Sequence, residues 1–243
     1  MKTTFLKVKG VNGNVGSAIQ IFNTDDRVAS FPHLINYIDP KTATFTPTFL
    51  GVDRSGDDAY QTAASSNAVT ETTINSKKAF SLANWKRLTS TSPILKKTCT
   101  IAFAMQRTSA SSTESNFMLL PFENGRLQFL PMISCRVGFA GTAYSMVAGA
   151  TPSVDEKVVV MISFNESEDK IKRYCKGYQD EVTGAIAKFG AFKDELLVIG
   201  TNYTSPEVKI GEILIFDTDL FLESNKLEKN DVLDYLRTSY AAT

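Results

Sequence analysis

Histidine and tryptophan occur once each in the 243 residues, and the three cysteines form no CxxC pair. Cys99, Cys135 and Cys175 each sit in an apolar, strand-like run and read as small buried hydrophobes with free thiols. An odd, scattered count argues against a disulfide framework. His33, beside Phe31 and Pro32, reads as a partly buried packing residue, and no Ser-His-Asp set or transition-metal ligand cluster can be assembled around it. Charge of one sign is also missing. The 26 basic and 26 acidic residues cancel, so the chain has no long-range pull toward nucleic acid or an anionic membrane. No run approaches the ~18 apolar residues that would cross a bilayer. The segment Met1 to Gly10 has no apolar leader core, which predicts synthesis in the cytoplasm without a cleaved signal. On that expectation the triplets Asn165-Glu166-Ser167 and Asn202-Tyr203-Thr204 are chance matches to a glycosylation acceptor. The phosphate-cradling patterns GxGxxG and GxxxxGK[ST] are absent, and no cofactor is expected.

What is present is a β pattern. A 43% hydrophobic content can fill one large sandwich core. Phe5 to Lys9 and Val15 to Phe22 flank Gly10-Val11-Asn12-Gly13-Asn14, a hairpin signal, because a primed turn requires positive φ. Residues 23 to 60 form a mixed stretch with Pro32, Pro40 and Pro47. Residues 61 to 76 read as a surface connection with one edge strand. From Thr98 the alternation is clean, with Cys99, Ile101, Phe103 and Met105 on one face. Val158 to Ile162 is apolar on both faces, the mark of a strand in the middle of a layered structure. Strands are further expected at Phe117 to Leu120, Arg126 to Met132, Lys170 to Lys176, Leu196 to Ile199 and Val208 to Phe216. One segment is helical: Asn225 and Glu228 have capping-box spacing, and Leu233, Leu236 and Tyr240 share a face. The expected fold is an all-β, two-sheet antiparallel jelly-roll sandwich with a C-terminal helix. Its expected division is an N-terminal hairpin and extension at 1–60, followed by the sandwich at 61–243.

Several of these segments resemble concanavalin-A-like, laminin-G-like modules. Ile74 to Phe80 resembles their "NGKPALRF" strand, and Cys99 to Met105 their "fTiafvv" strand. Lys157 to Phe164 with Lys170 to Gly177 is similar to their "hvlavtfdg…lyvdG" hairpin, Lys176-Gly177 standing where Asp-Gly is usual. Leu196 to Gly200 and Ile210 to Phe216 resemble the closing "LtiGg…ftGdIaEviiYdraL" block, and Val232 to Leu236 the "eeYL" tail. The resemblance spans about residues 70 to 240, and its motifs carry the fold rather than a reaction. Modules of this style with an extra N-terminal segment recur among tailed-bacteriophage structural proteins. The resemblance thus implies a non-enzymatic virion component, such as a head decoration, fibre or tail part. Its partners would be other virion proteins or copies of itself.

Glucanases of this fold carry a Glu-x-Asp-x-x-Glu strand, whose alternation puts carboxylates on one face for acid and nucleophile roles. No glutamate here is followed two residues later by aspartate, so no catalytic residue is expected. Asp53, Asp57 and Asp58, and the run at 165 to 169, offer oxygen ligands but no EF-hand spacing, and read as solvated acidic turns. Assembly contacts are expected on the N-terminal hairpin, at Phe5, Leu6, Val8, Val15, Ile19 and Ile21, since an exposed strand edge pairs readily with another chain. The alternative function is a carbohydrate-binding, lectin-like module. For it the candidates are Trp85, Tyr144 and Tyr203 as stacking platforms and Asn202 as a hydroxyl partner; Trp85 also fits a core or rim packing role. A glycan hydrolase with an unrecognised site ranks third.

Overall fold

Alternating and doubly apolar strands require two packed layers, and that is what forms. The computed structural model describes residues 27–28, 30–41, 50–52, 59–61, 69–83, 86–90, 95–109, 118–122, 125–130, 136–139, 142–145, 152–184, 197–200 and 206–243. The chain divides into two compact units, residues 1–32 and 33–243. In the first, a turn is closed by the Ser30 and Phe31 amides donating to the carbonyls of Arg27 and Val28. The N-terminal hairpin expected at 5 to 22, with its assembly candidates, lies outside the described residues.

In the second unit the strands are β1 (Leu34–Ile38), β2 (Leu50–Val52), β3 (Ala59–Gln61), β4 (Thr70–Ile74), β5 (Lys77–Leu82), β6 (Arg87–Ser90), β7 (Thr98–Arg107) and β8 (Met118–Phe122). They continue as β9 (Gly125–Leu130), β10 (Arg136–Phe139), β11 (Thr142–Ser145), β12 (Lys157–Asn165), β13 (Lys170–Cys175), β14 (Tyr178–Thr183), β15 (Val198–Gly200) and β16 (Val208–Phe216), before helix α1 (Lys226–Tyr240). One sheet runs β14-β13-β12-β7-β16-β5-β4, with β1 also paired to β16; the other runs β11-β10-β9-β8-β15-β6-β3-β2. Every described pairing is antiparallel.

Alternation sorts β7, β12 and β16 into two apolar layers. Cys99, Ile101, Phe103 and Met105 join Val158, Val160, Ile162, Ile213 and Ile215 in the main core, which also takes Leu88 and Ile199 from the second sheet. The opposite face carries Ala102, Ala104, Val159, Met161 and Leu214, all buried as well. Helix α1 packs on β7 and β12 and buries Val232, Leu233, Tyr235, Leu236 and Tyr240. Each large apolar side chain so buried contributes about 1.5–3 kcal/mol, and this second layer is why Val158 to Ile162 has no polar face.

Two hairpins show their turn chemistry directly. Asn75 and Ser76 (φ 50° and 62°) join β4 to β5, and Lys176 and Gly177 (φ 50° and 80°) join β13 to β14. Positive φ at both central residues matches strand twist in a two-residue loop. The capping box at the start of α1 does not form. Asn225 makes no side-chain cap; its side-chain Nδ2 instead donates to Thr218 Oγ1 and the Asp219 carbonyl, while Glu228 accepts from the His33 backbone amide. Both residues of the local motif are drawn off by partners brought in by the tertiary fold.

Candidate functional site

Buried polar groups lie on the outer face of the first sheet, under and beside α1. In β16 the register slips between Ile210, opposite Met105, and Ile213, opposite Phe103. Three steps on one strand face two on the other, so a bulge places Gly211 and Glu212 between two inward isoleucines. There the far neighbour of β16 changes from β5, which pairs residues 208–210, to β1, which pairs residues 213–216. The Glu212 amide donates to Tyr240 Oη at 2.9 Å, and Tyr235 Oη donates to Glu212 Oε2 at 2.6 Å. Lys41 Nζ stands 3.9 Å from Oε1. Burial pushes the Glu212 carboxyl above its usual range, and the Asp39 charge adds to this. The same burial, with Glu212 nearby, drives the Tyr37, Tyr235 and Tyr240 hydroxyls far above the ordinary tyrosine range. Glu212 has no exposed surface, so this carboxyl cannot meet a substrate. Its role is to seat α1.

A second set anchors the turn that leads into α1. Asp219, fully buried, accepts from Ser163 Oγ (2.6 Å), the Phe221 amide (2.9 Å), Asn165 Nδ2 (3.1 Å) and Lys172 Nζ (2.7 Å). Burial opposes its charge, yet these four donors hold its pKa below the usual value. Burial likewise pulls the Lys172 ammonium down, and Asp219 and Glu168 together pull it up further. The run at 165 to 169 is therefore not a set of spare oxygen ligands. Asn165 is buried, its Oδ1 accepts from Ser167 Oγ and the Glu168 amide, and Glu168 pairs with Lys172 and Lys170. Among the described residues no group of three or more His, Cys, Asp or Glu side chains is arranged to hold a metal ion. His33 keeps its imidazole Nδ1 2.6 Å from Glu228 Oε2, a packing and tethering position.

The exposed chemistry lies at the tip of the β13–β14 hairpin. Among the described residues Tyr178 is the one aromatic side chain that is exposed, at 56%. It follows the Lys176-Gly177 turn and pairs with Cys175. Among the described residues, strand β14 ends the sheet order. Register puts Tyr178 and Asp180 on the face of the hairpin that also holds Arg173 and Cys175. Arg173 forks onto Asp180, Nε to Oδ1 at 2.9 Å and Nη2 to Oδ2 at 2.6 Å. Lys176 Nζ contacts both Glu156 oxygens, at 2.8 and 2.9 Å, and raises its own pKa by doing so. Glu156 Oε2 also accepts from the Ser153 amide at 2.7 Å, and the same turn exposes Val154. Burial resists the Glu156 charge, but Lys176 and Ser153 hold its pKa below the ordinary value. The Tyr178 ring is thus open to solvent beside the Lys176-Gly177 turn, the kind of surface on which a flat, hydroxylated molecule stacks.

Sequence reasoning missed Tyr178. The available signal was an aromatic placed directly after a two-residue turn and opening the polar run Tyr-Gln-Asp-Glu-Val-Thr, which marks a solvent-facing edge strand. Trp85, Asn202 and Tyr203 lie outside the described residues, as do Asp53, Asp57 and Asp58. Tyr144 falls in β11 at the far end of the second sheet, and its side chain is likewise outside them.

No protein-family model matches the chain, and no curated protein does. Solved structures do. Domain 4 of AbnA, a GH43 extracellular arabinanase from Geobacillus stearothermophilus, in complex with arabinotriose, aligns with TM-score 0.60 at 11% identity, over 84% of this chain and 98% of that one. Trypanosoma rangeli sialidase aligns at 0.61 and 12% identity, over 90% and 38%. The botulinum neurotoxin serotype D ligand binding domain in complex with N-acetylneuraminic acid aligns at 0.58 and 16% identity, over 84% and 52%. The chain spans about half the length of the neurotoxin chains it matches. Likeness at such identities speaks to architecture alone. The fold is an all-β, two-sheet antiparallel sandwich of the concanavalin-A-like jelly-roll class with a C-terminal helix.

Proposed function

We propose that the chain is a non-catalytic carbohydrate-binding module that stacks a sugar ring on Tyr178. The observation that carries this reading is the open Tyr178 ring at the hairpin tip, on the strand face that also carries Asp180. A pyranose or furanose offers apolar C–H faces and a rim of hydroxyls. An exposed phenol ring takes the first, and fixed carboxylate oxygens accept hydrogen bonds from the second. The two-residue turn holds the platform in place, which limits the ordering cost of binding. Two of the structural neighbours are described as complexes with a sugar, arabinotriose in one and N-acetylneuraminic acid in the other, which supports the same reading.

The test is a screen of immobilised glycans with the intact chain and with Tyr178→Ala. Binding to at least one glycan class, weakened about tenfold or more by the substitution, is the expected result. Binding that survives the substitution undiminished would place the site elsewhere.

The virion-assembly reading keeps the sequence resemblance as its support. None of the neighbours named above is described as a virion protein, and the residues assigned to assembly lie outside the described ones. Particle incorporation by a chain lacking residues 1–22 tests it, with loss of incorporation expected.

A further inference from the structure

The strand that carries Tyr178 also carries an acceptor held from behind. Asp180 lies two residues on along β14, and alternation returns it to the face of Tyr178. Two strand residues advance about 6.6 Å. A sugar ring centred on the phenol therefore has its edge hydroxyls within reach of the Asp180 position, since a hydroxyl–carboxylate bond bridges about 2.7 Å of that span. Asp180 faces Arg173 across the β13–β14 ladder, and its carboxylate takes the guanidinium fork, Nε to Oδ1 at 2.9 Å and Nη2 to Oδ2 at 2.6 Å. The Arg173 side chain keeps 1% of its surface in solvent and the Asp180 side chain keeps 26%. The cation thus stands on the protein side of the carboxylate, and the carboxylate reaches solvent in front of it. An ionised carboxylate has about four lone-pair sites, and a fork occupies about two of them. Acceptor capacity remains at the surface, on a group that two charge-assisted bonds hold in one orientation.

From this arrangement we infer that Asp180 orients the sugar: its carboxylate accepts from a free hydroxyl on the edge of the ring stacked on Tyr178, and the site selects glycans that keep that hydroxyl. The inference rests on the glycan reading above and adds direction and specificity to it. A phenol ring alone stacks on any sugar with an apolar face and sets no rotation about the stacking axis. An acceptor fixed two residues along the strand sets that rotation. A methyl ether or a deoxy position at the same edge keeps the stacking face, removes the donor and leaves the covered carboxylate without its partner.

The test is a calorimetric titration of the intact chain with lactose, xylotriose, maltotriose and arabinotriose, and with their mono-O-methylated forms. Asp180→Ala alone would strand the buried Arg173 guanidinium, so the matched variant replaces the pair, Arg173→Met with Asp180→Leu, its fold checked by circular dichroism. The parent chain is expected to bind at least one of the probes, and the paired variant to bind it about tenfold more weakly. Methylation at one position is expected to cost the parent a similar factor and the paired variant almost nothing, because the two changes remove the same bond. Asp180→Asn, which keeps the shape and one acceptor oxygen, is expected to fall between the two and carries the same comparison should the paired variant not fold. A probe bound equally by parent and variants, or methylation costs that are the same in both, would overturn the inference while leaving stacking on Tyr178 intact. Silence toward every probe would sink the glycan reading, and this inference with it.

Discussion

Gly211 lies directly beneath the ring of Tyr240: a Cβ at this position would stand 2.5 Å from Cζ, 2.6 Å from Cε1 and 2.9 Å from Cε2. The bulge in β16 brings the backbone up to the helix, and only a residue without a side chain allows the contact. The same ring carries the hydroxyl that receives the Glu212 amide, a donor that the bulge takes out of the ladder. Gly211→Ala is therefore expected to destabilise the fold by about 1–3 kcal/mol through overpacking. Tyr240→Phe leaves a buried amide unsatisfied, at a cost of about 1–3 kcal/mol. Urea denaturation checks both. In a Tyr240→Ala background the Gly211→Ala cost should fall, because the clash partner is gone.

Glu212 gives the fold a pH dependence of defined sign. Its carboxyl is held above its ordinary value of 4.5, chiefly by burial. A group raised in this way contributes stability that is fully present below its unfolded pKa and is lost as pH rises through the folded one. Glu212→Gln keeps the shape and removes the titration. Relative to the parent, the variant should gain stability as pH rises from 4.5 toward neutrality. A parent-minus-variant difference that is flat with pH would contradict this.

Asp219 has the opposite sign. Its pKa is lowered from 3.8 against the pull of burial, so its contribution is present above that value and lost as pH falls through the folded one. Asp219→Ala strands the buried Lys172 ammonium and should cost about 3 kcal/mol at neutral pH. The deficit should shrink in acid, below the ordinary carboxylate range. Thermal melts of both chains across that range provide the measurement.

Strand content was legible because burial imposes alternation. Cys99, Ile101, Phe103 and Met105 share one face in sequence and in space, and Val208 to Phe216 forms a strand with those bounds. The doubly apolar Val158 to Ile162 marked a strand in the middle of a layered structure. The bulge at Gly211 and Glu212 was not legible, since Ile210 and Ile213 break parity only when set against Met105 and Phe103. The capping box failed for a related reason. Asn225 and Glu228 have the local spacing, but Thr218, Asp219 and His33 compete for them through the fold. Tyr178 was passed over because its exposure goes with β14 standing last among the described strands of its sheet, and strand order is a property of topology. A sequence displays periodicity along one strand; it does not display which strand lacks a neighbour.

The central claim is that sugar rings stack on Tyr178, and saturation-transfer difference NMR on neutral oligosaccharides tests it most directly. The account predicts saturation concentrated on sugar ring C–H protons with the parent chain, and its loss with a folded Tyr178→Ala variant. Equal transfer to the two chains, or none to a folded parent, would contradict it.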